Sequence, residues 1–374
     1  KGISLFVVPK FNVNEDGSVG ERNAVHCASI EKKMGIKASA TCVMNFDEAT
    51  GFMIGEENKG LECMFTFMNT ARIGTAIQGV GPAELSYQWA LDYARERRSM
   101  RALSGKKEPD EVADSLIHHA DVRRMLLTQK AIAEGGRSML YYAAKIADHM
   151  VEAHTAGDTA KVEKYDDKLG FLTPILKGFL TELGCEATNL GMQVFGGHGY
   201  IREHGMEQIV RDTRIATLYE GTTGIQALDL LGRKIWQDQS HGLQLLMQEM
   251  QADLQAATTE RCQQWALSLS ETLQQAVKVT QSLGKSLMGG EVDKTLANAS
   301  CSLRLFGHII VAWMWLRQAN ASANALASAN SDSERNFYQG KLQAAQYFFH
   351  WELPTVAQDL VLLRNQDDTC LNMK

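Results

Sequence analysis

Long segments with the apolar periodicity of α-helices are the feature that most restricts the fold of this chain. The first runs from Leu61 to Arg98, and its pattern is interrupted only at Gly81-Pro82. Two further helical patterns cover about 119–154 and 170–194, with a charged break between them. Long helices joined by modest loops pack antiparallel to one another. The sequence therefore predicts an antiparallel helical bundle as the main body of the protein.

The segment before the first long helix has a different character. Residues 1 to about 60 contain three short runs rich in β-branched and aromatic residues, "ISLFVVP", "ATCVMNF" and "GFMIG", which are typical of strands. So few strands need partners to form a stable sheet. The chain also starts with Lys1, immediately before the first of these runs. We therefore expect residues 1–60 to form part of a sheet, in a chain that is the later part of a longer one.

Composition changes again after Gln237, where Gln, Ala, Leu and Ser dominate. Shorter helical patterns at about 205–216 and 223–235 precede this change and complete the bundle. The predicted fold class is mainly α, with partial β at the start. The predicted segments are partial β at 1–60, a helical bundle at 61–236 and an extra C-terminal helical domain at 240–374.

Charge and cysteine usage narrow the classes of function. The net charge of −6 gives no electrostatic footprint for nucleic acid. The seven cysteines are scattered without a C-x-x-C pair, which favours thiols in a reducing compartment. No apolar run is expected to reach about 18 residues, so no transmembrane segment is predicted. No zinc-protease, nucleophile-elbow, Walker or dinucleotide-binding motif occurs, and no metal site is predicted.

Two arginines and a glycine-rich stretch are candidate ligand contacts. Arg72 and Arg97 would lie roughly 37 Å apart along an ideal helix, so they would serve different ligands or different ends of one ligand. In "QVFGGHGY" (193–200), glycines allow backbone N–H groups to approach a phosphate closely. Solvated helix arginines and a helix C-cap followed by a turn explain the same residues without any ligand.

Glu220 is the candidate catalytic group. It follows Tyr219 and precedes a Gly-Thr-Thr-Gly stretch that can cap the next helix. A carboxylate just before a helix N-terminus is favourable for the helix dipole alone. The functional alternative is a general base held at a joint between two helices. Local sequence leaves both interpretations open.

Taken together and in order, several motifs resemble the acyl-CoA dehydrogenase family. They are "KGISLFVVP", "MGIKAS", "NTARIG", "RERRSM", "QVFGGHGY", "YEGTTGIQ" and "LLGRK", and the similarity covers about residues 1–236. The resemblance implies that residues 1–60 are the C-terminal part of a middle β domain and residues 61–236 a four-helix-bundle catalytic domain, in a chain that lacks the N-terminal domain. The last segment, about 240–374, resembles the C-terminal extension of the larger family members. Within these, the runs "SIEKKMGIKASATCVMNFDEATG" and "HHADVRRMLLTQKA" look most like the 3-methylmercaptopropionyl-CoA dehydrogenase group and its broad-range fatty acyl-CoA relatives.

The resemblance implies FAD-dependent α,β-desaturation of acyl-CoA thioesters. Glu220 matches the base that removes the α-proton while the β-hydrogen leaves as hydride to flavin N5. In the family, the flavin ribityl hydroxyl and the backbone N–H of the base polarise the thioester oxygen. The implied partners are an acyl-CoA substrate, an electron-transfer flavoprotein and further copies of the chain in a dimer or tetramer. The expected location is the bacterial cytoplasm, or the mitochondrial matrix in a eukaryote.

Site residues carry over position by position from the resemblance. The implied FAD contacts are Arg97, Ser99 (where threonine is usual), Gln193, Gly196, Gly197 and Thr222. In the family, the arginine at position 97 contacts a FAD phosphate across a subunit interface, and the segment of Gln193, Gly196 and Gly197 binds the adenosine-diphosphate part of a neighbouring subunit's FAD. The implied substrate contacts are Arg72, Asn69, Tyr219 and Gly221.

The chain also departs from the family pattern. Asn69 stands where many relatives have Asp, and Gly224 stands where many have a FAD-contacting Gln. Ala71 excludes the alternative base position of isovaleryl-type members, which favours Glu220. Two alternative functions remain, an acyl-CoA oxidase that uses oxygen and a related DNA-binding flavoprotein. The latter would need a basic cluster in 240–374, where Lys and Arg are few.

Overall fold

The computed structural model describes residues 2–374, without the side chains of Phe65, Thr66, Phe67 and Asn69. The predicted roles of Lys1 as a chain start and of the Asn69 side chain as a substrate contact lie outside the described residues. Within them, the fold is mainly α, as predicted. The helices are α1 (Gly60–Glu96), α2 (Ala120–Thr155), α3 (Thr159–Phe195), α4 (Met206–Arg214), α5 (Thr223–Leu228), α6 (His241–Gln255), α7 (Glu260–Met288), α8 (Val292–Leu296), α9 (Ala299–Leu326), α10 (Asp332–Tyr347) and α11 (Val356–Asn365).

Residues 2–71 form one compact unit that contains the strands. The strands pair antiparallel in three two-stranded sheets, β1 with β6, β2 with β3 and β4 with β5. The three predicted runs are confirmed as β1, β5 and β6, whereas β2, β3 and β4 were not predicted because their polar residues hide the alternation. The strands are β1 (Leu5–Val7), β2 (Phe11–Val13), β3 (Val19–Arg22), β4 (Val25–Ile30), β5 (Cys42–Phe46) and β6 (Phe52–Ile54).

Hydrogen bonds rather than an apolar core hold this unit together. Phe6, Phe46 and Phe52 on its strands are all more than half exposed. Asn23 is buried, and its side-chain amide donates to the carbonyls of Pro9 and Thr50, both at 2.9 Å. An amide that bonds two distant loops fixes their separation in place of apolar packing.

Helix α3 is the central helix of the second unit, Arg72–Lys374. Its residues 168–181 are buried without interruption, although they include two lysines and two threonines. The predicted start of this helix at about 170, after a charged break, is wrong. The helix begins at Thr159 because the Asp158 side chain caps it by accepting a hydrogen bond from the Lys161 backbone N–H at 3.1 Å. The charged residues form its exposed first turns.

The C-terminal segment packs on the same helix. Helix α9 lies so close to α3 that a Cβ at Gly178 would come within 2.7 Å of Leu303, and a Cβ at Gly307 within 2.3 Å of the Phe179 ring. Both parts therefore contribute to one continuous apolar core. The domain boundaries at 60 and near 240 remain predictions.

One helical stretch, Val292–Leu326, is long and apolar enough to cross a membrane by length and composition, so the expectation that no such run occurs is corrected. Its apolar window is 89% buried inside the protein. This burial is typical of the core helix of a globular protein, and the stretch includes Trp313 and Trp315, both fully buried.

Close packing of α1 on α3 at Gly79 gives a stability prediction. A Cβ at Gly79 would lie 2.4 Å from the Leu180 carbonyl oxygen, which belongs to rigid helix backbone. We expect Gly79→Ala to lower the free energy of unfolding by about 1–3 kcal/mol, because the two helices must move apart. Thermal or denaturant unfolding measures the change.

Gly74→Ala is the matched control on the same helix. A Cβ at Gly74 meets nothing within 4 Å. Replacing an exposed helical glycine by alanine should raise stability by roughly 0.5–1 kcal/mol. Equal effects of the two substitutions would contradict the predicted close contact.

Candidate active site

Glu220 lies half-buried in a turn between α4 and α5. Its φ is 56° and that of Gly221 is 86°, so two consecutive residues adopt left-handed backbone conformations. Glycine takes this conformation without cost, whereas glutamate does so with strain of order 1–3 kcal/mol. Such strain persists only where the surrounding structure fixes the backbone. The turn therefore requires anchors.

Two buried side chains supply these anchors. Gln226 is fully buried, and its amide donates to the Glu220 carbonyl at 3.0 Å. Lys177 of α3 is also fully buried, and its ammonium donates to the Gly221 carbonyl at 2.5 Å. A third hydrogen bond joins Thr223 to the Glu182 carboxylate at 2.6 Å. Glu220, Gly221 and Thr223 are thus each fixed by a hydrogen bond with a side chain outside the turn.

The functional groups of Glu220 itself have no partners among the described residues. No donor bonds the Glu220 carboxylate in this part of the chain, and no acceptor takes its backbone N–H. A carboxylate that accepts no hydrogen bond can accept a proton from a ligand. The adjacent N–H can donate to an oxygen of the same ligand. The neighbouring Tyr219 hydroxyl donates to the Gln78 side chain.

Arg72 is buried, whereas a substrate contact would be expected to be exposed. It is 5% exposed, and its guanidinium pairs with Asp229 at 3.0 Å. Its Nε atom is buried and has no hydrogen-bond partner among the described residues. Sequence reasoning did not anticipate this pair, because Asp229 lies 157 residues further along the chain.

The predicted FAD contacts largely come together in a second place, at the C-terminal end of α3. A cavity of about 420 Å³ opens between this end and the segment after α1. Arg97 is exposed there, and no described residue hydrogen-bonds or pairs with its guanidinium. A Cβ at either Gly196 or Gly197 would meet nothing within 4 Å, so both backbones face open space. The predicted residues that line this cavity are Arg97, Ser99, Gln193, Gly196 and Gly197.

Two further residues of the cavity were missed by sequence reasoning. Tyr93 stacks on Phe195 with ring centroids 4.1 Å apart, and its hydroxyl lies 2.8 Å from His198 Nδ1. His198 lies within the glycine-rich motif, so the sequence could have identified it as a residue of this cavity. Thr222, predicted for the same cofactor, lies instead in the Glu220 turn, where it caps α5 by accepting a hydrogen bond from the Ile225 N–H.

A buried carboxylate shapes the loop that carries Arg97 and Ser99. Asp114 is fully buried and accepts hydrogen bonds from the backbone N–H groups of Ala102, Lys107 and Glu108 at 2.8–2.9 Å. The Ala102 bond is the largest cause that holds the pKa of Asp114 well below its usual range. The Asp114 backbone carbonyl in turn accepts from the Ser99 N–H at 3.0 Å. Asp114 therefore ties several backbone amides of this loop to one buried carboxylate.

Both groups of residues depend on α3. Lys177 and Gln193 lie 16 positions apart on this helix, which corresponds to about 24 Å along its axis. One small ligand cannot contact both. Two ligands, or two parts of an extended ligand, fit this spacing.

Two family models match the chain. The model described as "Acyl-CoA dehydrogenase, C-terminal domain" matches residues 58–236, and that described as "Acetyl-CoA dehydrogenase C-terminal like" matches residues 246–374. Together they cover both the bundle and the C-terminal segment. Their limits lie close to the predicted boundaries.

Several known proteins are similar to the chain. The 3-methylmercaptopropionyl-CoA dehydrogenase of Ruegeria pomeroyi is 37% identical over 93% of this chain and 58% of its own length. The broad-specificity linear acyl-CoA dehydrogenase of Mycobacterium tuberculosis is 32% identical over 100% of this chain and 62% of its own length. The chain thus spans about three fifths of these relatives. A Bacillus anthracis acyl-CoA dehydrogenase solved with FAD shares the fold, with a TM-score of 0.71 at 18% identity over 96% of this chain and 61% of that one.

Asp114 gives a prediction about the loop between α1 and α2. Asp114→Asn removes the charge and one acceptor oxygen, so backbone amides of residues 97–114 should exchange with solvent several-fold faster. Because the pKa of Asp114 is depressed, the stabilisation is present above about pH 4 and is lost as the pH falls below it. Hydrogen–deuterium exchange measures both effects.

Asp110→Asn is the control in the same loop. Asp110 is exposed and accepts no hydrogen bond from the described residues. Exchange in this variant should match that of the unchanged protein. If backbone amides of the loop exchange no faster in Asp114→Asn than in Asp110→Asn, the role of Asp114 in holding the loop is refuted.

Proposed function

This chain belongs to the acyl-CoA dehydrogenase family, and from that premise we propose that it is the catalytic part of a flavoenzyme that desaturates acyl-CoA thioesters. The observation that carries the proposal is the Glu220 turn. It combines a half-buried carboxylate that accepts no hydrogen bond with an adjacent backbone N–H that has no acceptor, both within the described residues. An enolisation needs this pair of groups, because one removes the α-proton and the other stabilises the developing oxyanion.

The role of Glu220 follows from the weak acidity of the thioester α-carbon. The carboxylate takes the α-proton, and the negative charge that develops on the thioester oxygen is stabilised by the Glu220 N–H. Both groups belong to one residue, so the turn that fixes one also fixes the other. Gln226 and Lys177 hold that turn through its carbonyls.

The cavity at the end of α3 fits the phosphate-bearing part of FAD. The unpaired Arg97 guanidinium can bind a phosphate through a bidentate pair of N–H···O hydrogen bonds. The open backbones of Gly196 and Gly197 allow a second polar group to approach closely. Bound FAD would supply a two-electron acceptor for the hydrogen that leaves the β-carbon. We propose that Arg97, Ser99, Gln193, Gly196, Gly197 and Thr222 hold it, with the first five in contact with its adenosine-diphosphate part.

The substrate we propose is an acyl-CoA, with Arg72, Asn69, Tyr219 and Gly221 as its contacts. Arg72 would then contact the substrate while its guanidinium stays paired with Asp229. Its Nε, which has no hydrogen-bond partner among the described residues, is the donor that remains for a ligand. The names of the two relatives suggest a thioether-containing or a linear acyl chain. An activity profile of the full-length gene product across acyl-CoA lengths, with a thioether substrate included, distinguishes these classes.

We further propose an electron-transfer flavoprotein as the electron acceptor, a homo-oligomer as the assembly, and the bacterial cytoplasm or mitochondrial matrix as the location. Family membership supports these proposals. Reduction of an electron-transfer flavoprotein without peroxide formation in air would support the dehydrogenase, whereas stoichiometric peroxide would indicate an acyl-CoA oxidase.

Glu220→Gln tests the catalytic assignment. In the full-length protein, we expect flavin absorbance to be retained and turnover to fall by at least about 10³-fold, because the amide cannot accept the α-proton. The assay is acyl-CoA-dependent bleaching of the flavin. Unchanged turnover would refute Glu220 as the base, and a full-length protein without flavin or bleaching would refute the proposed function.

Arg97→Gln tests the cofactor cavity. We expect the variant to lose FAD several-fold more readily on dialysis, because the phosphate loses its charged partner. Arg95→Gln is the control, since Arg95 is an exposed arginine in the last turn of α1, two residues before Arg97, and does not line the cavity. Equal FAD retention in the two variants would contradict the assignment.

A further inference from the structure

Lys177 is a buried cation without a carboxylate partner. It lies in the middle of α3 within the apolar sequence "PILKGFL" and has no exposed surface. No carboxylate within 4 Å forms an ion pair with it among the described residues. Its ammonium instead donates to the Gly221 carbonyl at 2.5 Å. Lysines are almost never fully buried without a charged partner, so this placement requires an explanation.

Burial makes the charge of Lys177 costly. Loss of water around the ammonium lowers the pKa of Lys177 to about 8, an effect that nearby Arg72 increases and that Glu182 and Glu220 oppose. The side chain nevertheless remains mostly protonated at neutral pH. A methionine would fill similar space without this penalty. Packing alone therefore does not explain a lysine here.

The hydrogen-bonding partner of Lys177 supplies the explanation. Gly221 follows the proposed base directly, and its φ of 86° continues the left-handed turn. The Gln226 amide donates to the preceding carbonyl, that of Glu220, at 3.0 Å, and reaches the Gly221 carbonyl only at 3.4 Å. Without Lys177, the second carbonyl of the turn would lose its close charged donor, and the strained backbone at Glu220 would be free to relax.

We infer that Lys177 is a positioning residue for the Glu220 base, which it holds in place through the Gly221 carbonyl. This inference rests on the proposed function, since it assigns Lys177 a role in the same reaction. Lys177 does not touch the reacting atoms. It acts by fixing the backbone from which both the carboxylate and the N–H of Glu220 extend.

Position matters because proton abstraction is sensitive to geometry. A misplacement of about 1 Å in a catalytic group can lower a rate by about 100-fold. Movement of the turn would displace the carboxylate and the oxyanion donor together. Binding of the acyl-CoA would change less, because Arg72 and Asn69, which lie outside the turn, are also among its proposed contacts.

The test compares Lys177→Met with Lys168→Met in the full-length holoenzyme. Lys168 is the other buried lysine of α3, and it pairs with Glu249 rather than with the turn. We expect Lys177→Met to lower kcat by roughly 10- to 100-fold with KM changed by less than about 3-fold and flavin content unchanged. Lys168→Met should leave kcat unchanged.

A second readout does not depend on activity. Hydrogen–deuterium exchange of the peptide that covers residues 215–228 should become faster in Lys177→Met and stay unchanged in Lys168→Met. Lys177→Gln keeps an N–H donor of shorter reach, so its kcat and its exchange should fall between those of the unchanged protein and Lys177→Met. This graded rescue is expected of positioning and not of a general loss of folding.

Three outcomes would overturn the inference. They are an unchanged kcat with unchanged exchange in Lys177→Met, faster exchange throughout α3 with loss of flavin, and equal effects of the two lysine substitutions. If the unchanged holoenzyme shows no bleaching by acyl-CoA, the proposed function fails instead. The exchange comparison then still decides whether Lys177 holds the turn.

Discussion

Uninterrupted burial of residues 168–181 in α3 is the constraint on which the rest of the second unit depends. Every polar group in this stretch must find a partner inside the protein, because water does not reach it. The hydroxyls of Thr173 and Thr181 bond to the backbone carbonyls four residues earlier in the same helix, and Lys168 pairs with Glu249. Lys177 alone uses its donor on the turn that carries Glu220. The same burial that stabilises the core thus connects it to the proposed active site.

The C-terminal segment belongs to this arrangement. Helix α9 packs on α3 at Gly178 and Phe179, the two residues that follow Lys177. Through these contacts α9 contributes to the burial of the stretch of α3 that includes Lys177. A large extension that only filled space at the surface would not have this effect.

Local pattern predicted the long helices, since the periodicity of 61–98 and 119–154 indicated α1 and α2. The group of Arg97, Gln193 and the glycines was expected only from the family resemblance, and the structure brings these residues together at the end of α3. The partner of Arg72 and the role of Lys177 were not predictable in this way. Asp229 and Gly221 lie 157 and 44 residues away from them, and no short-range pattern encodes such pairs. The start of α3 was missed because its capping residue, Asp158, lies in a charged stretch that resembles a loop.

The Glu220 turn shows why stability and reactivity are coupled here. Three costly groups occur here: Glu220 in a left-handed conformation, Lys177 bonded to the turn without a carboxylate partner, and Arg72, which has an unpartnered Nε and lies near enough to Lys177 to lower its pKa. A fold selected for stability alone would replace Lys177 by an apolar residue and place glycine at 220. Their occurrence in one region is expected where a bound ligand supplies hydrogen-bond partners that the protein lacks. The remaining core then has to supply the compensating stability, as the apolar surfaces of α3 and α9 do.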